Sequence, residues 1–202
     1  MEIVRPFAPV LGGDKVNEEH EKLSGSFVDI GKNKHDNSTQ ISKDIRILEK
    51  YPILKKILLN KFYEFIKTSN LDYNNRFEIS TSWITKSENK QQSYMHCHKN
   101  SFYSGVYYYG DKYDSNCGNL QIHNPLQSLS DFLIEPESRN NFNAEIFEIY
   151  PQPRLVVFFP SYIHHQFLPN YSDITRYSLA FNMVPVGLYG CADSSYNTSW
   201  FN

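Results

Sequence analysis

Two histidines one residue apart, His96 and His98, are the first residues of this sequence that could carry out chemistry. They lie in the stretch MHCHKNSFYSGVYYYGD, residues 95–111. On an extended chain, side chains two residues apart project from the same face, roughly 6–7 Å apart. Both imidazoles can therefore reach one site while Cys97 points away. The pair predicts two ligands of a metal ion, and a third ligand must come from another part of the chain.

The third ligand is predicted to come from the stretch FFPSYIHHQF, residues 158–167. His164 and His165 are adjacent in it, and the alternation of a strand lets only one of them face inward. His20 and His35 lie in polar N-terminal segments and are poorer candidates. One histidine of the 164–165 pair therefore completes the predicted metal site.

Arg176 stands in the otherwise apolar run ITRYSLAFN, residues 174–182. A buried guanidinium is costly unless a carboxylate meets it. Arg176 and Ser178 share one face of a strand, and together they could hold a carboxylate through a bidentate contact and a hydroxyl group. The predicted partner of Arg176 is therefore an anionic ligand, with an acidic residue distant in sequence as the alternative.

The elements that must position these residues differ between the two halves of the chain. From Ser42 apolar residues recur at the three-four spacing typical of amphipathic helices, and Pro52 is expected to separate a short helix from a longer one that ends near Thr68. After Asn70, short apolar or aromatic runs between turn residues predict antiparallel strands. These runs are FEISTSWITK, SFYSGVYYYGD, GNLQIHNP, AEIFEIYP, RLVVFFPS, HHQFLPN and TRYSLAFNMVPV.

The predicted fold class is mainly β with N-terminal helices, built around a double-stranded β-helix, or jelly-roll, core. The chain has 202 residues, which suits one domain with one sizeable core. We expect a single domain, residues 1–202, with a helical and edge-strand lead-in at 1–72 and the jelly-roll core at about 73–190. The edge strand of the lead-in is expected within residues 1–11.

Composition excludes several classes of function. The net charge is −2 and Lys and Arg form no block, so neither a nucleic acid patch nor a membrane surface is expected. Three cysteines without a CxxC pair argue against a disulfide framework and a thiolate zinc site. No targeting or membrane-spanning segment is recognisable. We expect a cytoplasmic protein with a small-molecule or peptide substrate, and the sequence leaves a homo-oligomer open.

The order H-x-H, SGVYY, FPSxxxH and R-x-S-x-x-F-N resembles the Fe(II)- and 2-oxoglutarate-dependent oxygenase superfamily, and closely resembles a bacterial and phage subfamily of it. The likeness runs from about Trp83 to Asn182. It implies Fe(II), 2-oxoglutarate and O₂ as cofactor and cosubstrates of a dioxygenase, and hydroxylation or a related oxidation with release of succinate and CO₂. It also implies specific roles: metal ligands at His96, His98 and His165, and 2-oxoglutarate contacts at Arg176, Ser178 and Tyr108.

One position departs from the superfamily pattern. The usual iron site holds two histidines and one carboxylate, and His98 stands where Asp or Glu is expected. The site is then one negative charge short, which should weaken Fe(II) binding. Asp111 or Asp114 is an alternative source of the carboxylate. Two other functions stay open: a cupin-type dioxygenase with a three-histidine iron site and no 2-oxoglutarate, and a non-catalytic jelly-roll module for structure or binding.

Overall fold

The helical part of the chain precedes most of the strands. In the structure, a computed structural model that describes residues 9–29, 37–71, 73–126, 137–138, 140 and 143–198, a 3-10 turn spans Ile47–Lys50 and helix α1 spans Pro52–Thr68. Pro52 occupies the first turn of α1, where its missing N–H costs no hydrogen bond. It therefore separates two elements as predicted, but the first of them is a 3-10 turn.

The strands form a seven-stranded sheet, a three-stranded sheet and a two-stranded hairpin. Their bounds are β1 Gly12–Lys15, β2 Phe27–Asp29, β3 Gln40–Ser42, β4 Arg76–Ser87, β5 Tyr103–Tyr107, β6 Leu120–His123, β7 Ile146–Ile149, β8 Leu155–Pro160, β9 His165–Phe167, β10 Arg176–Val186, β11 Leu188–Tyr189 and β12 Tyr196–Asn197. All seven runs identified in the second half of the sequence contain a strand.

The larger sheet has seven strands in the order β1-β8-β5-β10-β4-β3-β2, and the smaller sheet has the order β7-β6-β9. All strand pairs within these two sheets are antiparallel. Strands β1, β2 and β3 belong to the lead-in and extend the larger sheet at its two edges. Most of the edge strand predicted within residues 1–11 lies outside the described residues, and the domain boundary near residue 72 stays a prediction.

Two cores flank the larger sheet. One lies between this sheet and the buried stripe of α1, and it includes Phe62, Phe158 and Phe181. The other lies between the two sheets and is built from residues such as Val106, Leu120 and Phe159. Strand β10 runs through the middle of the larger sheet, so its alternate residues reach both cores. None of the helices in the described part of the chain is long and apolar enough to cross a membrane.

Candidate metal centre

The three histidines His96, His98 and His165 meet at one point. Their candidate ligand nitrogens all lie within 4.8 Å of one another, and among the described residues this is the one group of three or more His, Cys, Asp or Glu side chains with such spacing. The centroids of the His96 and His165 rings are 4.4 Å apart. His96 is exposed, His98 is partly buried and His165 is buried, so the cluster opens toward solvent on the His96 side.

Backbone pairing brings the two histidine segments together. The N–H of His96 donates to the carbonyl oxygen of His165 at 3.0 Å, and the N–H of His165 donates to that of His96 at 2.9 Å. The N–H of His98 donates to the carbonyl oxygen of Ser161 at 2.9 Å. Residues 96–98 therefore run alongside the chain between β8 and β9, which places the three imidazoles on one side.

The second ring nitrogen of each histidine is already occupied. Nδ1 of His96 lies 2.7 Å from the carbonyl oxygen of Tyr94, and Nδ1 of His165 lies 2.9 Å from that of Ile163. Nδ1 of His98 lies 2.7 Å from Oδ1 of Asn182. Carbonyl oxygens only accept hydrogen bonds, so each Nδ1 carries the proton and each Nε2 presents a lone pair. This tautomer is the one that a histidine ligand needs when its Nε2 binds the metal.

Burial keeps two of these histidines neutral. Burial, together with the neighbouring His96, lowers the pKa of His165 to about 3. Burial also lowers the pKa of His98, although the hydrogen bond that His98 donates to Asn182 acts in the opposite direction. Metal ligands must be unprotonated, so the environment holds both side chains in the form that binds a metal ion.

No carboxylate joins the three histidines within the described ranges. The alternative carboxylate Asp114 accepts hydrogen bonds from the Ser172 hydroxyl at 2.6 Å and from the N–H of Asn116 at 2.9 Å. Those contacts are the leading causes of its lowered pKa. Asp114 therefore has a structural role at the turn before β6, and Asp111 is exposed. The missing negative charge at position 98 is not replaced by either residue.

Arg176 is buried without an acidic partner. It is 1% exposed, and no carboxylate of the described residues forms an ion pair with it. Its Nη1 donates to the carbonyl oxygens of Cys117, Gly118 and Leu168 at 2.7, 2.8 and 3.2 Å, and its Nη2 donates to the Ser87 hydroxyl at 2.9 Å. Its Nε has no hydrogen-bond partner. Burial lowers the pKa of Arg176 to about 10, so the guanidinium stays charged at neutral pH.

Tyr108 lies close enough to Arg176 for the two groups to affect each other's pKa. It is fully buried, and its hydroxyl has no hydrogen-bond partner. Ser178 is also buried, and its hydroxyl shares a hydrogen bond of 2.6 Å with that of Thr85. The buried guanidinium therefore has one unpartnered N–H of its own and the unpartnered hydroxyl of Tyr108 nearby, an arrangement that fits a carboxylate of 2-oxoglutarate.

Asn182 contacts the histidine cluster, and sequence reasoning assigned it no role. Its position in R-x-S-x-x-F-N was visible, because it lies six residues after Arg176 on the same face of a strand. In the structure it contacts His98, as described above, and its Nδ2 donates to the Thr81 hydroxyl at 3.0 Å. The alternation of β10 could therefore have shown that Asn182 shares a face with Arg176. The contact with His98 could not be read from the sequence, because the two residues are far apart along the chain.

A family model matches the chain across this site. The family is described as "Putative 2OG-Fe(II) oxygenase", where 2OG is 2-oxoglutarate, and the match covers residues 81–182, just over half of the 202 residues. The chain belongs to this family. The family's description names the predicted enzyme class and the predicted Fe(II) and 2-oxoglutarate, and an oxygenase uses O₂. No curated protein matches the sequence significantly.

Solved structures of similar fold include HygX from Streptomyces hygroscopicus with nickel and 2-oxoglutarate bound. It shares 12% identity and a TM-score of 0.53 over 80% of this chain and 74% of HygX. SnoK, an α-ketoglutarate-dependent carbocyclase from nogalamycin biosynthesis, shares 13% identity and a TM-score of 0.55 over 87% of this chain and 72% of SnoK. Both confirm the predicted jelly-roll fold, although neither sheet closes on itself here.

A third solved structure, a 2OG-Fe(II) oxygenase family protein from Burkholderia pseudomallei, shares 14% identity and a TM-score of 0.49 over 78% of this chain. The chain spans 65% of that protein's length, which is less than two thirds.

Proposed function

We propose that this protein is an Fe(II)- and 2-oxoglutarate-dependent dioxygenase that hydroxylates an organic substrate. His96, His98 and His165 would hold the iron through Nε2. Arg176 and Tyr108 would bind the carboxylate of 2-oxoglutarate that lies farther from the metal. When bound, iron and 2-oxoglutarate supply the chemistry of O₂ activation, with release of succinate and CO₂.

The observation that carries this proposal is the buried guanidinium of Arg176, whose Nε has no hydrogen-bond partner, together with the unpartnered hydroxyl of the nearby Tyr108. A buried charge that lacks a counterion is strongly unfavourable. Three carbonyl oxygens hold one side of the guanidinium in place, and its carbon lies 4.4 Å from the centre of the Phe167 ring. The group is thus rigidly held with its Nε side free, as a site for a dicarboxylate requires.

The interior face of β10 connects this anion site with the histidines. Arg176, Ser178, Ala180 and Asn182 alternate along that face, opposite Ser87, Thr85, Trp83 and Thr81 of β4. Asn182 contacts His98, and Trp83 lies 5.5 Å from the His98 ring. Ser178 and Ala180, the two residues between the anion site and Asn182, have small side chains. This spacing supports a slender cosubstrate that lies along the strand.

The substrate is proposed to bind in a groove of about 770 Å³ at the end of β10 that follows Asn182, a volume suited to a small organic molecule. Its wall includes Thr81, one hydrogen bond away from Asn182. The lining contains aromatic rings, hydroxyl groups and no charged side chain: Ser80, Thr81, Asn100, Ser101, Phe102, Val184, Pro185, Tyr189, Tyr196 and Thr198. An uncharged substrate with hydrogen-bonding groups suits this lining.

The direct test of the function is conversion of 2-oxoglutarate to succinate by the purified protein, measured with and without Fe(II). We expect succinate to form only with Fe(II) and O₂, even without substrate, and His165→Ala to abolish it. Intact metal binding without any 2-oxoglutarate binding or turnover would favour the cupin-type alternative. Failure to bind metal would favour the non-catalytic module.

The groove has its own test in compounds that stimulate this turnover. We expect stimulating compounds to be uncharged small molecules or peptides, and Tyr196→Ala to reduce their stimulation while basal succinate formation continues. Stimulation that is unchanged in Tyr196→Ala would place the substrate elsewhere. A cytoplasmic location, a single domain and a homo-oligomer stay predictions.

A further inference from the structure

His98 is held differently from the other two histidines. Nδ1 of His96 and of His165 each contact a backbone carbonyl oxygen two residues earlier in the chain. Nδ1 of His98 instead contacts side chains, Asn182 Oδ1 at 2.7 Å and Ser104 Oγ at 2.9 Å. The position of this one ring therefore depends on side chains from β10 and β5.

The amide of Asn182 has a hydrogen-bond partner at each end. Its Nδ2 donates to the Thr81 hydroxyl at 3.0 Å, and its Oδ1 accepts a hydrogen bond from the Ser104 hydroxyl at 2.9 Å. The opposite orientation would point an N–H group at Nδ1 of His98 and would move the imidazole proton to Nε2, the nitrogen that the metal needs. With Oδ1 facing Nδ1 of His98, as in the structure, Nε2 of His98 is left free for the metal.

We propose that Asn182 is the positioning residue for His98: its side-chain carbonyl holds the imidazole in the tautomer and orientation that bind the metal ion. This inference rests on the proposed function, in which the three histidines hold the metal. A hydrogen bond to the remote nitrogen increases the basicity of a histidine ligand and restricts its ring.

Asp and Leu at position 182 separate a positioning role from a packing role. Asn182→Asp keeps an acceptor for His98 but loses the N–H bonded to Thr81, whereas Asn182→Leu loses both. Thr81→Val removes only the outer hydrogen bond and is the matched control. If Asn182 merely supported the fold, Asp and Leu would be similarly harmful. If it positions His98, Asp preserves metal binding and Leu does not.

The experiment is an anaerobic titration of the full chain with Co(II), followed by absorption spectroscopy, with metal-free thermal unfolding of each variant to show that it is folded. We expect Asn182→Leu to weaken Co(II) binding by about 10- to 100-fold and to change the ligand-field spectrum. Asn182→Asp should bind at least as tightly as the unaltered protein, and Thr81→Val should lose less than Asn182→Leu.

Two results would overturn the inference. One is a folded Asn182→Leu variant with unchanged Co(II) affinity and spectrum, and the other is an Asn182→Asp variant that loses as much affinity as Asn182→Leu. If the Leu variant does not fold, weaker binding by a folded Asn182→Asp variant contradicts the proposal, and retained binding supports it. Failure of the unaltered protein to bind Co(II) would instead contradict the proposed function itself.

Discussion

The two faces of strand β10 have different roles in the molecule. On the side of helix α1, Leu179, Phe181 and Met183 are fully buried in an apolar core. On the side of the smaller sheet, Arg176 and Ser178 are buried, Asn182 is partly buried, and all three present polar groups. The two sets alternate residue by residue, so one strand supplies both the main core and the candidate site.

The two faces differ in whether their buried polar atoms all have hydrogen-bond partners when no ligand is bound. In the described part of the chain, the helix-side core contains no buried polar atom that lacks a hydrogen-bond partner. Two such atoms, Arg176 Nε and Tyr108 OH, lie on the other side of the sheet. A buried polar group without a hydrogen bond costs about 1–3 kcal/mol. The helix-side core therefore stabilises the fold, and the inter-sheet side holds groups that a ligand would complete.

The largest effect is expected from His165→Ala, which removes the most buried of the three histidines. Metal affinity should fall by more than about 100-fold, beyond the loss typical of a residue that only supports a ligand. His164→Ala is the matched control, since His164 is adjacent and exposed. Anaerobic Fe(II) titration measures both variants. Equal losses at positions 164 and 165 would show that the site does not depend on which histidine faces inward.

Phe62→Ala tests the helix-side core alone. Phe62 is fully buried, and its ring centroid lies 5.3–5.5 Å from those of Phe77, Tyr103 and Phe158. Its removal should lower the free energy of unfolding by about 3–5 kcal/mol, measured by urea denaturation. Ile53→Ala, on the exposed side of the same helix, should change it by about 0.5 kcal/mol or less.

The same Phe62→Ala variant should leave the metal affinity of its folded fraction unchanged, because the helix lies on the other face of the sheet. A large loss of metal affinity in a folded Phe62→Ala protein would mean that the two faces are coupled, and the comparison between them would fail.

Gly118→Ala tests the anchorage of Arg176. Gly118 has a φ of +77°, and a Cβ there would lie 2.3 Å from the Leu168 carbonyl oxygen and 2.4 Å from Arg176 Nη1. We expect a loss of about 2 kcal/mol in stability from the backbone strain and displacement, with weaker 2-oxoglutarate binding.

Gly187→Ala is the control, because Gly187 also has a positive φ, +94°, but nothing lies within 4 Å of the added Cβ. It should show the backbone cost without any change in 2-oxoglutarate affinity, as measured by anaerobic calorimetry. Equal effects of the two variants on cosubstrate binding would contradict the role of the Gly118 turn in holding Arg176.

The smallest effect, counted per pH unit, is a pH dependence of the metal-free protein. His165 has a folded-state pKa of about 3, whereas its ordinary value is about 6.5. Between these two pH values the unfolded chain binds a proton at His165 and the folded chain does not. Stability should fall by up to about 1.4 kcal/mol per pH unit between the two values as pH decreases.

Urea unfolding across that pH range measures the slope. The part of this slope that comes from His165 should be absent in the His165→Gln variant. An identical slope in both proteins would show that His165 is not the buried neutral group described here.

Much of the β half could be predicted from sequence, because short apolar runs between turn residues, such as that of β10, indicate a strand. Strands β2 and β3 could not, since three residues carry too little pattern and their pairing depends on β4. The histidine pair was recognisable from the i, i+2 spacing of His96 and His98. Arg176 was recognisable because a guanidinium group in an apolar strand needs a partner. Their ligand roles stay predictions.

The contacts that refine the site depend on residues far apart in sequence. Asn182 meets His98 across 84 residues, and Ser178 shares its hydrogen bond with Thr85 across 93 residues. No local pattern specifies such pairs, although the shared face of Arg176, Ser178 and Asn182 was available from the alternation of the strand.

The central claim is that Arg176 and Tyr108 receive a carboxylate of 2-oxoglutarate. The most direct measurement is anaerobic calorimetry of the Fe(II)-loaded protein with 2-oxoglutarate, compared with the Arg176→Met variant. We predict at least about 30-fold weaker binding in the variant, while 2-oxobutyrate, which lacks the second carboxylate, binds both proteins equally. Unchanged 2-oxoglutarate affinity in a folded, metal-binding Arg176→Met protein would contradict the claim.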